Sequence, residues 1–106
     1  MRVFFDQGTP VPLRNLLDSH QVETAYERGW NQLTNGNLLA EVAREGFQIF
    51  VTTDKNMTQQ QNLDAIPFAI IVLSTTSWPR IQPAFIQVLQ AIDNAIPGYV
   101  TEVTIP

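Results

Sequence analysis

The sequence predicts an α/β fold, a three-layer α/β/α sandwich on a mostly parallel sheet of about five strands. Short, continuous apolar runs at residues 2–5, 47–51 and 68–73 read as strands buried on both faces, where covering helices erase polar alternation. Helix-like segments separate these runs, and strand alternating with helix favours right-handed parallel crossovers over hairpins. Two of the runs lead straight into a lone aspartate, Asp6 after Arg2-Val3-Phe4-Phe5 and Asp54 after Phe47-Gln48-Ile49-Phe50-Val51-Thr52-Thr53.

Each element has a local cause. After the first strand, Thr9 is placed to cap a helix with Pro10 at its first position, where proline's missing N–H has no partner to lose. Leu13, Leu16 and Leu17 supply that helix's buried stripe. His20 to Thr24 forms a short strand, and Arg28-Gly29-Trp30 leads through a loop to Asn35, the expected cap of the next helix. That helix runs to about Glu45 with Leu38, Leu39 and Val42 inward, and Gly46 ends it in the left-handed conformation. The strand Phe47–Val51 follows, then a polar tract, Gln59-Gln60-Gln61-Asn62. Phe68–Leu73 is the most apolar run and so the expected central strand, closed by Ser74-Thr75-Thr76-Ser77. Ile81, Phe85, Val88, Leu89, Ile92 and Ile96 recur at a period near 3.6, predicting one long helix that Pro97-Gly98 breaks. Tyr99–Ile105 alternates only in part, as a strand near an edge does.

At 106 residues with 44% hydrophobic content, the chain is expected to be one domain, 1–106, with one core. The absence of cysteine removes disulfides, thiolate metal sites and cysteine nucleophiles, so a cytoplasmic location is the default. Met1 leads directly into a strand-like run, and no apolar stretch nears the roughly 20 residues that span a bilayer. A soluble, non-exported protein without membrane contact is expected. A net charge of −4, with Lys55 the only lysine, excludes the broad basic face of non-specific nucleic-acid binders.

In each βα unit the strand ends, and the helix begins, on the same edge of the sheet. This gathers Asp6, Gln7, Asn35, Asn37, Asp54, Lys55, Ser74, Thr75 and Trp78 on one rim, where open α/β sheets bind ligands. Asp6 and Asp54 are the expected metal ligands, because carboxylates suit Mg²⁺ or Mn²⁺, ions that can activate water for phosphodiester cleavage. Glu41 is the remaining acid of interest, though it would lie about 9 Å further along its helix and point away from the apolar stripe. Gln7, Asn37, Lys55, Ser74 and Trp78 are candidate substrate contacts. Plainer roles stand beside these: turn or cap aspartates, loop-anchoring Trp30 and Trp78 in place of base-stacking platforms, solvated or ion-paired Arg28 and Arg80, and a partly exposed surface imidazole at His20. The final helix has its stripe occupied by the core, so a homodimer is allowed but not signalled.

The combination Phe5-Asp6-Gln7-Gly8-Thr9-Pro10, Gly29-Trp30, Leu33-Thr34-Asn35-Gly36-Asn37-Leu38-Leu39, Thr52-Thr53-Asp54-Lys55-Asn56-Met57 and Gln60-Gln61-Asn62-Leu63 resembles the PIN-like domain family of unknown function. The likeness extends through Val72-Leu73-Ser74 and Trp78-Pro79 to the final strand. It implies a PIN-like sheet and kinship with PIN-domain ribonucleases, many of them toxins of toxin–antitoxin pairs, whose acidic residues hold Mg²⁺ or Mn²⁺ for RNA hydrolysis. On that resemblance Asp6 and Asp54 match the family's metal-binding aspartates. Asn35 and Glu41 would complete the catalytic set. Gln7 and Asn35 stand where the wider family commonly has Glu and Asp, and each amide keeps a carbonyl oxygen but not the charge.

Other chemistries fit less well. A phospho-receiver needs extra carboxylates after the first strand, nucleotide binding lacks a glycine-rich phosphate loop, and one histidine with no cysteine disfavours zinc or a Ser-His-Asp triad. Two functions remain: a metal-dependent ribonuclease, as a toxin with an antitoxin-like partner, or a catalytically weak PIN-like module that binds RNA or a protein partner.

Overall fold

Five strands form one sheet in the computed structural model, which describes residues 1–59, 63 and 66–106. They are β1 (Arg2–Phe5), β2 (Gln21–Thr24), β3 (Ile49–Thr52), β4 (Ala69–Leu73) and β5 (Val100–Val103). Their order is β2-β1-β3-β4-β5, and every neighbouring pair is parallel. The helices are α1 (Ala25–Arg28), α2 (Asn35–Arg44), α3 (Trp78–Ile81) and α4 (Phe85–Asp93), with 3-10 turns at Val11–Leu16, Lys55–Thr58 and Gln82–Ala84.

Both faces of the sheet are covered. Val3, Phe5, Ile49, Val51, Ile71 and Leu73 form the first face and pack under Leu13, Leu17, Ile81, Val88 and Ile92. Phe4, Phe50, Ile70 and Val72 form the second, under Leu38, Leu39, Val42, Met57 and Phe68. Every residue of β3 and β4 is therefore buried, which is why those segments show no polar alternation. On the second face Phe50 stacks 5.5 Å from Phe4 and lies 6.0 Å from Phe68. Fully burying such a ring contributes roughly 1.5–3 kcal/mol.

Several elements depart from the sequence expectation. Val11–Leu16 is a 3-10 turn that starts after Pro10 without a side-chain cap, rather than a helix capped by Thr9. Thr9 is instead buried, its hydroxyl donating to the Val51 carbonyl at 3.0 Å, and Leu16 is only half-buried. Thr34, not Asn35, caps α2, its hydroxyl accepting the Asn37 N–H. β3, not β4, is the central strand. The long final helix is broken into α3, a 3-10 turn and α4 around Pro79 and Pro83, and Ile96, beyond α4, is 58% exposed. The His20 side chain is only 6% exposed, with Asp93 Oδ1 3.8 Å from its Nε2, so it is not a surface imidazole. Gln60 to Asn62 lie outside the described residues. The strands expected at His20–Thr24 and Tyr99–Ile105 are present as β2 and β5, the two edges of the sheet.

The crossovers do not share one hand. β1 to β2 runs one way across the sheet over the first face, and β2 to β3 runs the other way over the second, so these two agree. β4 to β5 runs in the same direction as β2 to β3, yet its helix α4 lies over the first face. It has the opposite hand, a rare arrangement in parallel sheets. Val11–Leu16 alone is too short to cover the first face, and α3 and α4 complete that layer.

Candidate functional site

β1 and β3 are adjacent, but the chain leaves β1 over the first face and β3 over the second. Their loops diverge, and the crevice at such a switch point is where open α/β sheets bind ligands. A cleft of about 250 Å³ opens there, and Asp6, Gln7, Trp30, Asn35, Thr53 and Asp54 are among its walls.

The two aspartates are held by one hydroxyl. The Asp6 N–H donates to the Val51 carbonyl at 2.9 Å, which continues the ladder one residue past β1 and fixes where the side chain leaves. Its Oδ2 accepts the Thr52 hydroxyl at 2.8 Å, and its Oδ1 accepts the Gln7 N–H at 2.8 Å. The same Thr52 Oγ1 accepts the Asp54 N–H at 3.0 Å. Thr52 is fully buried and its hydroxyl carries one proton, so the donation to Asp6 and the acceptance from Asp54 fix its orientation. Asp54 Oδ1 caps the Lys55–Thr58 turn through the Asn56 N–H at 2.9 Å.

The β1 loop is laced against the end of β3. Thr9 N–H donates to the Asp6 carbonyl at 3.0 Å while its hydroxyl holds Val51. Gly8 approaches so closely that a Cβ there would lie 2.5 Å from Thr53 Oγ1. On the other wall, the Trp30 ring lies 5.6 Å from Phe4 and 6.4 Å from Phe47. The Arg28 guanidinium sits 5.1 Å from the Trp30 ring and is gripped by Glu23 at 2.8 Å and Glu45 at 3.2 Å. Arg28 holds the Glu23 carboxyl below the usual carboxylate range, with help from Arg2 and against the opposing effect of burial. Arg28 thus buttresses the cleft wall.

Asp6, Gln7, Asn35 and Asp54 come together as the sequence suggested. Other candidates do not join them. Glu41 pairs with Arg44 one turn along α2 rather than lining the cleft, and that partner keeps its carboxyl below the usual range. Asn37 is exposed. Lys55 and Ser74 border a separate hollow of about 130 Å³ beside Glu102 and Thr104, and Ser74 Oγ accepts the Ile105 N–H at 2.8 Å. Trp78 packs on the first-face core, across the sheet from Trp30, so the tryptophans do not flank one site. Arg80 donates to backbone oxygens of Ile105 and Pro106, and Thr75 Oγ1 accepts the Ser77 N–H.

Thr52, Thr53, Gly8 and Asn31 also shape or line the cleft, and the sequence reading gave them no role there. The available signal for Thr52 was a hydroxyl residue two positions before Asp54 at a strand end. Two carboxylates and the amides of Gln7, Asn31 and Asn35 make an oxygen-donor set suited to hard cations. Among the described residues no three acids, histidines or cysteines gather into a metal-binding group. Comparison with known proteins finds no matching family model, curated protein or solved structure.

Proposed function

We propose that the chain is a Mg²⁺- or Mn²⁺-dependent ribonuclease working in the cytoplasm, with the cleft between β1 and β3 as its active site. The observation that carries this reading is the pairing of Asp6 and Asp54 in one crevice through the Thr52 hydroxyl. Two carboxylates beside neutral amides would repel a phosphodiester unless a dication intervened, and the oxygen-donor set fits such an ion. When bound, the ion would supply Lewis acidity for phosphodiester hydrolysis. Asp6 and Asp54 hold it, while Gln7, Asn31 and Asn35 offer amide donors and acceptors to the RNA backbone. The PIN-like resemblance extends this to the toxin of a toxin–antitoxin pair, for which a small adjacent antitoxin-like reading frame is the genomic test.

Cleavage of single-stranded RNA is expected with Mn²⁺, stopping with EDTA and in Asp6→Asn or Asp54→Asn. One observation favours the second reading, a binding module without turnover: Gln7 and Asn35 bring no charge, leaving two carboxylates in the cleft among the described residues. A folded protein that binds RNA yet takes up no Mn²⁺ at millimolar metal, measured by calorimetry, would establish that module and sink the nuclease.

A further inference from the structure

The two open edges of the sheet are finished differently. At β2, the outward Val22 carbonyl lies 3.5 Å from an Arg14 nitrogen, and the Thr24 N–H donates to Glu27 at 3.1 Å. Arg14 also pairs with Glu27, which straps that edge. Among the described residues β5 has no such guard. Its Tyr99 and Val103 carbonyls accept the N–H groups of Ile70 and Ser74. Backbone direction alternates along a strand, so the N–H and C=O of Val100 and Glu102 point away from β4. Nothing among the described residues bonds to them. Natural edges are blunted by shortness, charge, proline or a bulge. β5 has four residues and one charge, Glu102, but no proline, and its register with β4 runs unbroken from Val100 to Val103. Tyr99 is 66% and Val100 37% exposed beside it.

Charge selects the occupant. Arg2, Arg14, Arg28 and Arg44 are all engaged with glutamates, whereas Glu102, although it shares a hollow with Lys55, makes no ion pair among the described residues. A second copy is a poor match, because each chain carries −4 and a second β5, Val100-Thr101-Glu102-Val103, offers Glu102 no cation. We propose that β5 is the docking edge for an extended, basic segment of a partner protein, which joins the sheet as a sixth strand. Val100 and Glu102 share the face of Ile70 and Val72. The segment is therefore recognised by an apolar residue and a Lys or Arg two positions apart, opposite Val100 and Glu102.

The probes are two short synthetic peptides that alternate valine with threonine, one carrying lysines and the other glutamates at the charged positions. Amide NMR of the intact chain should show the lysine peptide perturbing and protecting Val100 and Glu102, with no response to the glutamate peptide. Glu102→Lys should weaken the lysine peptide about five- to tenfold and reverse the preference. Glu102→Pro removes an outward donor while sparing the bonds to β4, and should abolish binding with the far-UV spectrum unchanged. Failure of both peptides to bind, perturbation centred on Asp6 and Asp54 instead of β5, or sedimentation of the free chain as a dimer paired through β5 would each overturn the proposal.

Discussion

At Thr52, a single buried hydroxyl serves Asp6 as donor and the Asp54 amide as acceptor, so its removal acts on both aspartates at once. Thr52→Val preserves shape but leaves the partly buried Asp54 N–H without its acceptor, an expected cost of about 1 kcal/mol in thermal or urea unfolding. Loss of such a supporting bond should weaken Mn²⁺ binding by roughly 10–100-fold, with Thr52→Ser restoring most of it. Equal Mn²⁺ affinity in Thr52→Val and the parent would show that the hydroxyl does not position the carboxylates. Glu23 gives a pH prediction. Its carboxyl is held below the ordinary range chiefly by the Arg28 side chain, with further hydrogen bonding and charge from Arg28 and Arg2. Because the folded-state value is depressed, the pairing stabilises the fold above the ordinary carboxylate pKa and is lost as pH falls through the depressed value. The groups are partly exposed, so the contribution is under about 1 kcal/mol and weakens with salt. Arg28→Gln should flatten this part of the acid-unfolding profile. At this scale Asp6 and Asp54 were legible in the sequence because each follows an apolar run. Thr52 was not, because nothing local shows that its hydroxyl points across to the neighbouring strand.

Among the elements, α2 was the most legible. Its apolar spacing placed Leu38, Leu39 and Val42 on the buried face, and Gly46 follows its end with φ +77°. Gly46→Ala places a Cβ in the left-handed region and should cost about 1 kcal/mol, read as a fall in Tm of roughly 4–8 °C. Helix starts were less legible. Thr34 and Asn35 are both competent caps, and which of them adopts the extended conformation is settled by how the chain enters from Trp30. The segment from Trp78 to Asp93 keeps one apolar stripe although Pro83 breaks its hydrogen-bond ladder, so periodicity predicted a continuous helix where backbone chemistry forbids one.

The whole molecule rests on β3, the central strand, which carries Phe50 into the aromatic stack and Thr52 to its buried contacts with Asp6 and Asp54. Phe50→Ala should cost about 3–5 kcal/mol, a large share of the 5–15 kcal/mol typical of a domain. A urea midpoint within error of the parent would contradict this account of the core. The sequence by itself determined the α/β class, the buried strands and the two strand-terminal aspartates, because burial pattern, turn residues and helix ends are set by near neighbours. Strand order, the opposite hand of the last crossover, the edge at β5 that no described residue pairs with and the meeting of Asp6 with Asp54 through Thr52 were decided only by tertiary structure. These depend on which strands become neighbours and which face each helix covers, and both follow from how the two apolar faces of the sheet are closed by the whole chain.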